Sequence, residues 1–173
     1  MTTSSATPAR VSDIQPFSPS GPWKTKSGGE LLVLGAWPWK FLQEKFFSYS
    51  SDELAKIPGD IRGLRSYVVH GLPDLQIGGT EFHKIRHELL LGLAGMTHWT
   101  FEDAFGEEYT LELELFHGVY IPPNIMHTYR TMRDQSAILV ICNTLFDPDN
   151  PSTHDTYPRE EFERLKQSLK NGG

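Results

Sequence analysis

The chain of 173 residues holds one cysteine, Cys142, which excludes an internal disulfide framework and any zinc module built from several thiolates. A single thiol in an apolar run fits a reducing compartment, and the cytoplasm is the expected location. Positive charge is also scarce: 16 Lys and Arg stand against 22 Asp and Glu, a formal net charge of -6. That balance argues against a nucleic-acid phosphate backbone as the main partner. No apolar run approaches the roughly 18 residues a membrane helix needs, so no membrane partner is expected. At roughly 150 residues per domain, the length leaves room for one domain with tails.

What is present falls into three stretches. Residues 1–29 mix Ser, Thr, Pro and Gly with little apolar periodicity, which predicts a flexible arm. The arm has no apolar stretch of the kind a secretory signal carries. Residues 30–157 are expected to form the folded domain, and residues 158–173 a short helix and tail. Within the domain, ELLVLGAWPWKFLQEKFFSYSS at 30–51 is dense in aromatics, including Trp37, Trp39, Phe41, Phe46, Phe47 and Tyr49. Such density reads as core and interface packing, because exposed it would be a sticky patch.

From Ile61 to Asn143, short runs rich in β-formers are broken by Gly, Pro and Asp, the punctuation of an all-β domain. Strands are predicted at 64–70, 80–83, 88–94, 97–101, 109–116, 119–121, 127–131 and 137–142. In YTLELELF, Leu111, Leu113 and Leu115 alternate with Thr110, Glu112 and Glu114, the period-2 pattern of a strand with one wet face. SAILVICN is apolar on both faces, as a strand covered on both sides would be. Many short strands in this length predict a sandwich or barrel. Near the C-terminus, Pro158 suits a first helical position, and Phe162, Leu165 and Leu169 recur on one helical face.

The candidate chemistry lies at two places. In Glu81-Phe82-His83-Lys84-Ile85-Arg86-His87-Glu88, residues two apart on a strand share a face, so Glu81 and His83 point together, and Glu88 opens the next strand. Later, Pro122-Pro123-Asn124-Ile125-Met126-His127 is a Pro-rich turn ending in His. Glu81, His83, Glu88 and His127 are expected to form a cluster of two imidazoles and two carboxylates. Two carboxylates enclosed together need compensation. A divalent metal held by Glu81, His83, Glu88 and His127 (Fe, Mn, Ni or Zn) would supply it, and so would a proton held on one carboxylate. In the second case no cofactor is needed. Tyr67, Tyr129 and Arg130 are candidates for the pocket wall or rim, and His98 for its lining. Arg62 and Arg65 stand near strand ends, where charged side chains are ordinarily solvated. His70, His117 and His154 read as ordinary hydrogen-bonded residues.

The spacing resembles the cupin motifs, His-x-His, four residues, Glu, six residues, Gly, then Pro-x-Gly-x-x-His, with Glu81 in place of the first His and Asn124 in place of the second-motif Gly. Residues from about 57 to 162 look like the sugar 3,4-ketoisomerase branch of the RmlC-like cupins, the WxcM-like group. Gly78-Gly79-Thr80-Glu81-Phe82-His83-Lys84 resembles its Arg-Gly-x-His-x-His-Lys signature, agreeing at Gly79, His83 and Lys84. Tyr67 matches its strand tyrosine, Glu88 falls on its Gln, Met126-His127 on its Trp-His pair, and Phe146-Asp147-Pro148 on its Tyr-Asp-Glu segment.

The resemblance implies an all-β double-stranded β-helix, the cupin jelly roll, with a short C-terminal helix. It also implies a homodimer and a small-molecule substrate. Three activities follow as expectations. The first is an isomerase that moves a proton next to a carbonyl, with Glu81 as base, His83 as its partner and Tyr67 donating to the enolate oxygen. The second is a metal-dependent enzyme, and the third a non-catalytic module that binds a sugar or metabolite.

Overall fold

Strand Glu108–Leu113 shows how the pattern becomes structure: Leu113 turns inward and is fully buried, while Thr110 and Glu112 face water. The computed structural model describes residues 7–171. Its strands are β1 (Gln15–Phe17), β2 (Ser20–Lys24), β3 (Glu30–Val33), β4 (Arg62–Leu72), β5 (Ile77–Phe82), β6 (Glu88–Ala94), β7 (Thr97–Asp103), β8 (Glu108–Leu113), β9 (Gly118–Ile121), β10 (Ile125–Thr131), β11 (Ser136–Thr144) and β12 (Tyr157–Pro158). Three helices, α1 (Trp39–Phe41), α2 (Ser51–Leu54) and α3 (Arg159–Asn171), complete it. One five-stranded antiparallel sheet runs β1-β9-β6-β11-β4 and a second runs β12-β5-β10-β7-β8, the two-sheet jelly roll that the spacing implied. Each of the eight predicted strands is present.

Between the sheets lie Leu90, Trp99, Phe101, Leu113, Val119, Ile121, Ile138 and Val140. Burying a side chain of this size contributes about 1.5–3 kcal/mol. On β11 the two-faced apolar pattern is explained directly, since Ile138, Val140 and Cys142 are buried while Leu139 and Ile141 face outward and are half-buried. The aromatic segment supplies the cover: Trp37, Phe41, Phe46 and Phe47 pack with Leu89, Tyr120 and Ile141.

The arm expected over 1–29 needs correcting from residue 11 onward. A turn at Val11–Asp13 leads into β1, which pairs with β9, and Ile14 is buried in the main core. One well-placed isoleucine is enough to anchor the segment, and a single apolar residue makes no periodicity to read. The folded domain therefore starts before residue 30, and residues 1–6 lie outside the described part. At the other end Phe162 of α3 packs on Phe82 and Met126. Arg159 and Lys166 both bond to Glu102 on β7, fixing the helix across the second sheet. Pro158 closes β12 instead of opening the helix. No helix among the described residues is long and apolar enough to cross a membrane.

Candidate active site

Strands β5 and β10 pair with His127 opposite Glu81, and the register slips just after His127. His83 follows the end of β5, and its carbonyl accepts a 2.7 Å hydrogen bond from the Asn124 amide, tying the Pro-rich turn to the first motif. Asn124 holds φ at 62°, the left-handed conformation that Asn tolerates at the position where the motif spacing calls for Gly.

The two imidazoles are oriented the same way. His83 Nδ1 lies against the Asp155 backbone carbonyl, and His127 Nδ1 lies 3.1 Å from the Ile125 carbonyl. A carbonyl only accepts, so each Nδ1 carries the proton and each Nε2 turns a lone pair toward the cavity. Opposite them, Glu88 Oε1 is 3.5 Å from His83 Nε2 and Glu88 Oε2 is 3.6 Å from His127 Nε2. Glu81 Oε1 lies 3.9 Å from His83 Nε2, with its side chain 36% exposed. Burial, reinforced by the charge of Arg86, holds the His83 pKa well below the ordinary histidine value.

The compensation expected from a metal or a shared proton has a different source at Glu88. Arg86, absent from the sequence-derived cluster, is buried beside it, with Nη1 3.5 Å from Glu88 Oε1 and 3.4 Å from His83 Nε2. Its remaining nitrogens donate to Thr144 and Thr156. The second unforeseen residue is Asp155, whose buried carboxylate accepts from the backbone amides of Lys84, Ile85 and Arg86 at 2.9, 2.8 and 2.7 Å. Asp155 thus shapes the turn that carries Arg86 and, through its carbonyl, sets the tautomer of His83. The charge pattern Arg86-x-Glu88 was a visible signal for the first residue; nothing local to the sequence marks the second.

All four residues of the expected cluster meet at the two imidazoles. Glu81, His83 and His127 bring donor atoms within 4.8 Å of one another, and Glu88, against both imidazoles, is also engaged with Arg86. Tyr67 faces inward from β4, its hydroxyl without a hydrogen-bond partner among the described residues, and burial together with the Glu88 charge raises its pKa. Tyr129 lines the same interior, its ring 5.0 Å from Trp99. His98 and Arg130 do not belong to the site. They pair with each other across β7 and β10, one residue out of phase with the inward-facing Trp99 and Tyr129, so both lie on the outer face of the sheet. Arg62 is solvated beside Asp60, as expected, whereas Arg65 turns inward with Tyr67. A cleft of about 870 Å³ is lined by residues such as Lys84, His87, Tyr120 and Glu161. None of Glu81, His83 and His127 lines it, and convergence of chemistry locates the site better than volume does.

The family profile described as WxcM-like, C-terminal (FdtA) matches residues 47–161, about two thirds of the chain. The chain belongs to this family. No curated protein matches it. Among solved structures, it is similar to a 3,4-ketoisomerase from Helicobacter canadensis, with 16% identity, 90% of this chain and 98% of that chain covered, and a TM-score of 0.61. QdtA, a sugar 3,4-ketoisomerase from Thermoanaerobacterium thermosaccharolyticum in complex with TDP, gives 20% identity, 93% and 97% coverage and 0.59. The WlaRB TDP-quinovose 3,4-ketoisomerase from Campylobacter jejuni gives 15% identity, 89% and 99% coverage and 0.60. At these identities the likeness establishes the shared cupin fold.

Proposed function

We propose that this WxcM-like cupin is a small-molecule isomerase that moves a proton on the carbon next to a sugar carbonyl. The observation that carries the reading is the state of His83. Its Nδ1 proton is committed to Asp155, its Nε2 lone pair faces the cavity, and burial keeps the ring neutral. A base in that state accepts a carbon-bound proton without first losing one of its own. Glu81, 3.9 Å away and partly open to solvent, is the second base and the link to bulk water.

One of the two bases takes the proton from the carbon beside the carbonyl. The electrons of the broken C–H bond form the enediolate, whose negative charge settles on the former carbonyl oxygen. The protonated base returns a proton to the neighbouring carbon, and the hydroxyl proton passes from one oxygen to the other, so atoms and charge balance. Tyr67, held protonated by burial, donates its hydroxyl hydrogen to the developing oxyanion. Membership of the WxcM-like family, and the ketoisomerase names of the three similar structures, support this reading.

The test is deuterium incorporation from D₂O into a panel of keto sugars, free and nucleotide-linked, followed by NMR. Exchange is expected with the wild-type protein and should fall about 100-fold or more in His83→Gln and Glu81→Gln, in line with the usual contribution of a positioned base. Unchanged exchange in both variants would refute the assignment, and no exchange with any sugar would leave a binding module.

A second reading is favoured by one geometric fact, the donor atoms of Glu81, His83 and His127 within 4.8 Å of one another. Two imidazole lone pairs and a carboxylate suit Fe, Mn, Ni or Zn, and carbonyl partners at both Nδ1 atoms are the outer contacts such ligands use. A bound ion would polarise a substrate carbonyl or activate dioxygen. Elemental analysis of protein purified without added metal decides it, with about one equivalent per chain in favour. We also propose a homodimer. Leu64 (62% exposed) and Val68 (44%) lie on the 11-residue edge strand β4, and such an edge calls for cover. Light scattering should return twice the chain mass.

A further inference from the structure

The charged side chains that face the interior of the barrel around the two imidazoles include Arg65, Glu81, Arg86 and Glu88. Arg86 and Glu88 answer each other at 3.5 Å. Arg65 makes no ion pair among the described residues, and its Nε is buried without any hydrogen-bond partner. On β4 it shares the inward face with Tyr67, two residues on. Its guanidinium carbon lies 5.0 Å from the ring centroid of Tyr67 and 5.0 Å from that of Phe146. Both rings lie within cation–π range of the fork. Its charge is felt at His83, on the side where the bases stand.

A buried N–H with no acceptor is a standing cost that an incoming oxyanion removes, and the planar fork suits two-point contact with a carboxylate or phosphoryl group. With the guanidinium carbon 5.0 Å from the Tyr67 ring centroid, an anion on Arg65 lies beside that ring, close enough for one small sugar to touch both side chains. On the opposite side, Tyr129 stands in register with Gly78, where a Cβ would fall 2.3 Å from the phenol. That wall presents a ring where a longer side chain at 78 would have to pass.

We propose that Arg65 anchors the single oxyanion of a small anionic sugar, a carboxylate or phosphoryl group carried on the same ring that reacts beside Glu81 and His83. The proposal rests on the barrel interior being the binding site. It names a substrate class set by this chain's own side chains.

Calorimetric titration of the wild-type protein, Arg65→Gln and Arg65→Lys tests it, with D-glucuronate, D-glucose 6-phosphate, D-glucose and TDP as probes. The wild type should bind one of the two anionic sugars at least 10-fold more tightly than glucose, and which one identifies the anion. Arg65→Gln should lose at least 10-fold, about 1.4 kcal/mol, and Arg65→Lys should recover only part of it, because an ammonium makes no two-point contact. Should Arg65→Gln fail to fold, the partial loss in Arg65→Lys carries the test. Equal binding by wild type and variant, no binding of either anionic sugar, or a preference for TDP indifferent to Arg65 would each overturn the anchor. Deuterium exchange separates this from the isomerase reading: anionic sugars bound through Arg65, with no keto sugar undergoing exchange, keep the anchor and sink the isomerase. Exchange of neutral keto sugars at equal rates in Arg65→Gln does the reverse.

Discussion

The Arg86 and Glu88 pair should behave as one unit when either partner is removed. Both side chains are almost wholly buried, and at 3.5 Å with an effective dielectric of about 20 two unit charges attract by about 5 kcal/mol. Desolvation consumes much of that attraction, so the pair's net worth is smaller than the loss on breaking it. Arg86→Met strands a carboxylate facing two imidazole lone pairs and should cost about 3–5 kcal/mol of stability. Glu88→Gln should cost less, since an amide oxygen still accepts from Nη1. The double variant Arg86→Met/Glu88→Gln should regain part of the loss, for a coupling energy of about 2 kcal/mol in a double-mutant cycle. Urea unfolding followed by tryptophan fluorescence measures each corner. The exposed Arg62 and Asp60 pair, closer at 2.7 Å but more than half open to solvent, serves as control and should couple far more weakly, because water screens it. Coupling in the buried pair no larger than in this control would refute the electrostatic account of the site.

Four further outcomes are expected. His87 is buried against Tyr120, with its pKa lowered to about 4 by burial, so below the unfolded value of about 6.5 the unfolded chain takes up a proton that the folded chain refuses. Stability should be fully present above pH 6.5 and fall by about 3 kcal/mol toward pH 4, and His87→Gln should flatten that slope in unfolding curves measured across the range. Asp155→Ala leaves three backbone amides without their acceptor and should cost about 3 kcal/mol or more, read by thermal unfolding. Ring-nitrogen NMR shifts should place the His83 proton on Nδ1 in the wild type. Asn124→Gly should be near neutral, while Asn124→Val at φ 62° should cost roughly 1–2 kcal/mol in urea unfolding, because a branched side chain crowds the left-handed conformation.

The parts of the fold that were legible in the sequence are those governed by local repetition. Alternation wrote β8, the doubly apolar run wrote β11, and spacing wrote the first and second motifs, so Glu81, His83, Glu88 and His127 do meet. Tyr67 and Tyr129 also reach the interior. His98 and Arg130 were misplaced because a pocket-lining residue must be in phase with its strand, and phase depends on a register fixed only by the partner strand. The partner of Glu88 went unseen because it is Arg86, in a turn whose shape is imposed from 69–71 residues away by Asp155. Ile14 escaped notice for the same kind of reason: its burial depends on β9, more than a hundred residues later. Long-range partners leave no periodic trace.

The dependence of the 83–86 turn on Asp155 has a consequence for the order in which this protein matures. During synthesis, every titratable side chain of the pocket emerges before residue 155 does. A nascent chain stopped short of that aspartate would own all the reactive groups and lack the clasp that aims them. Competence would then arrive late and in one step, when the final loop swings back across the barrel mouth.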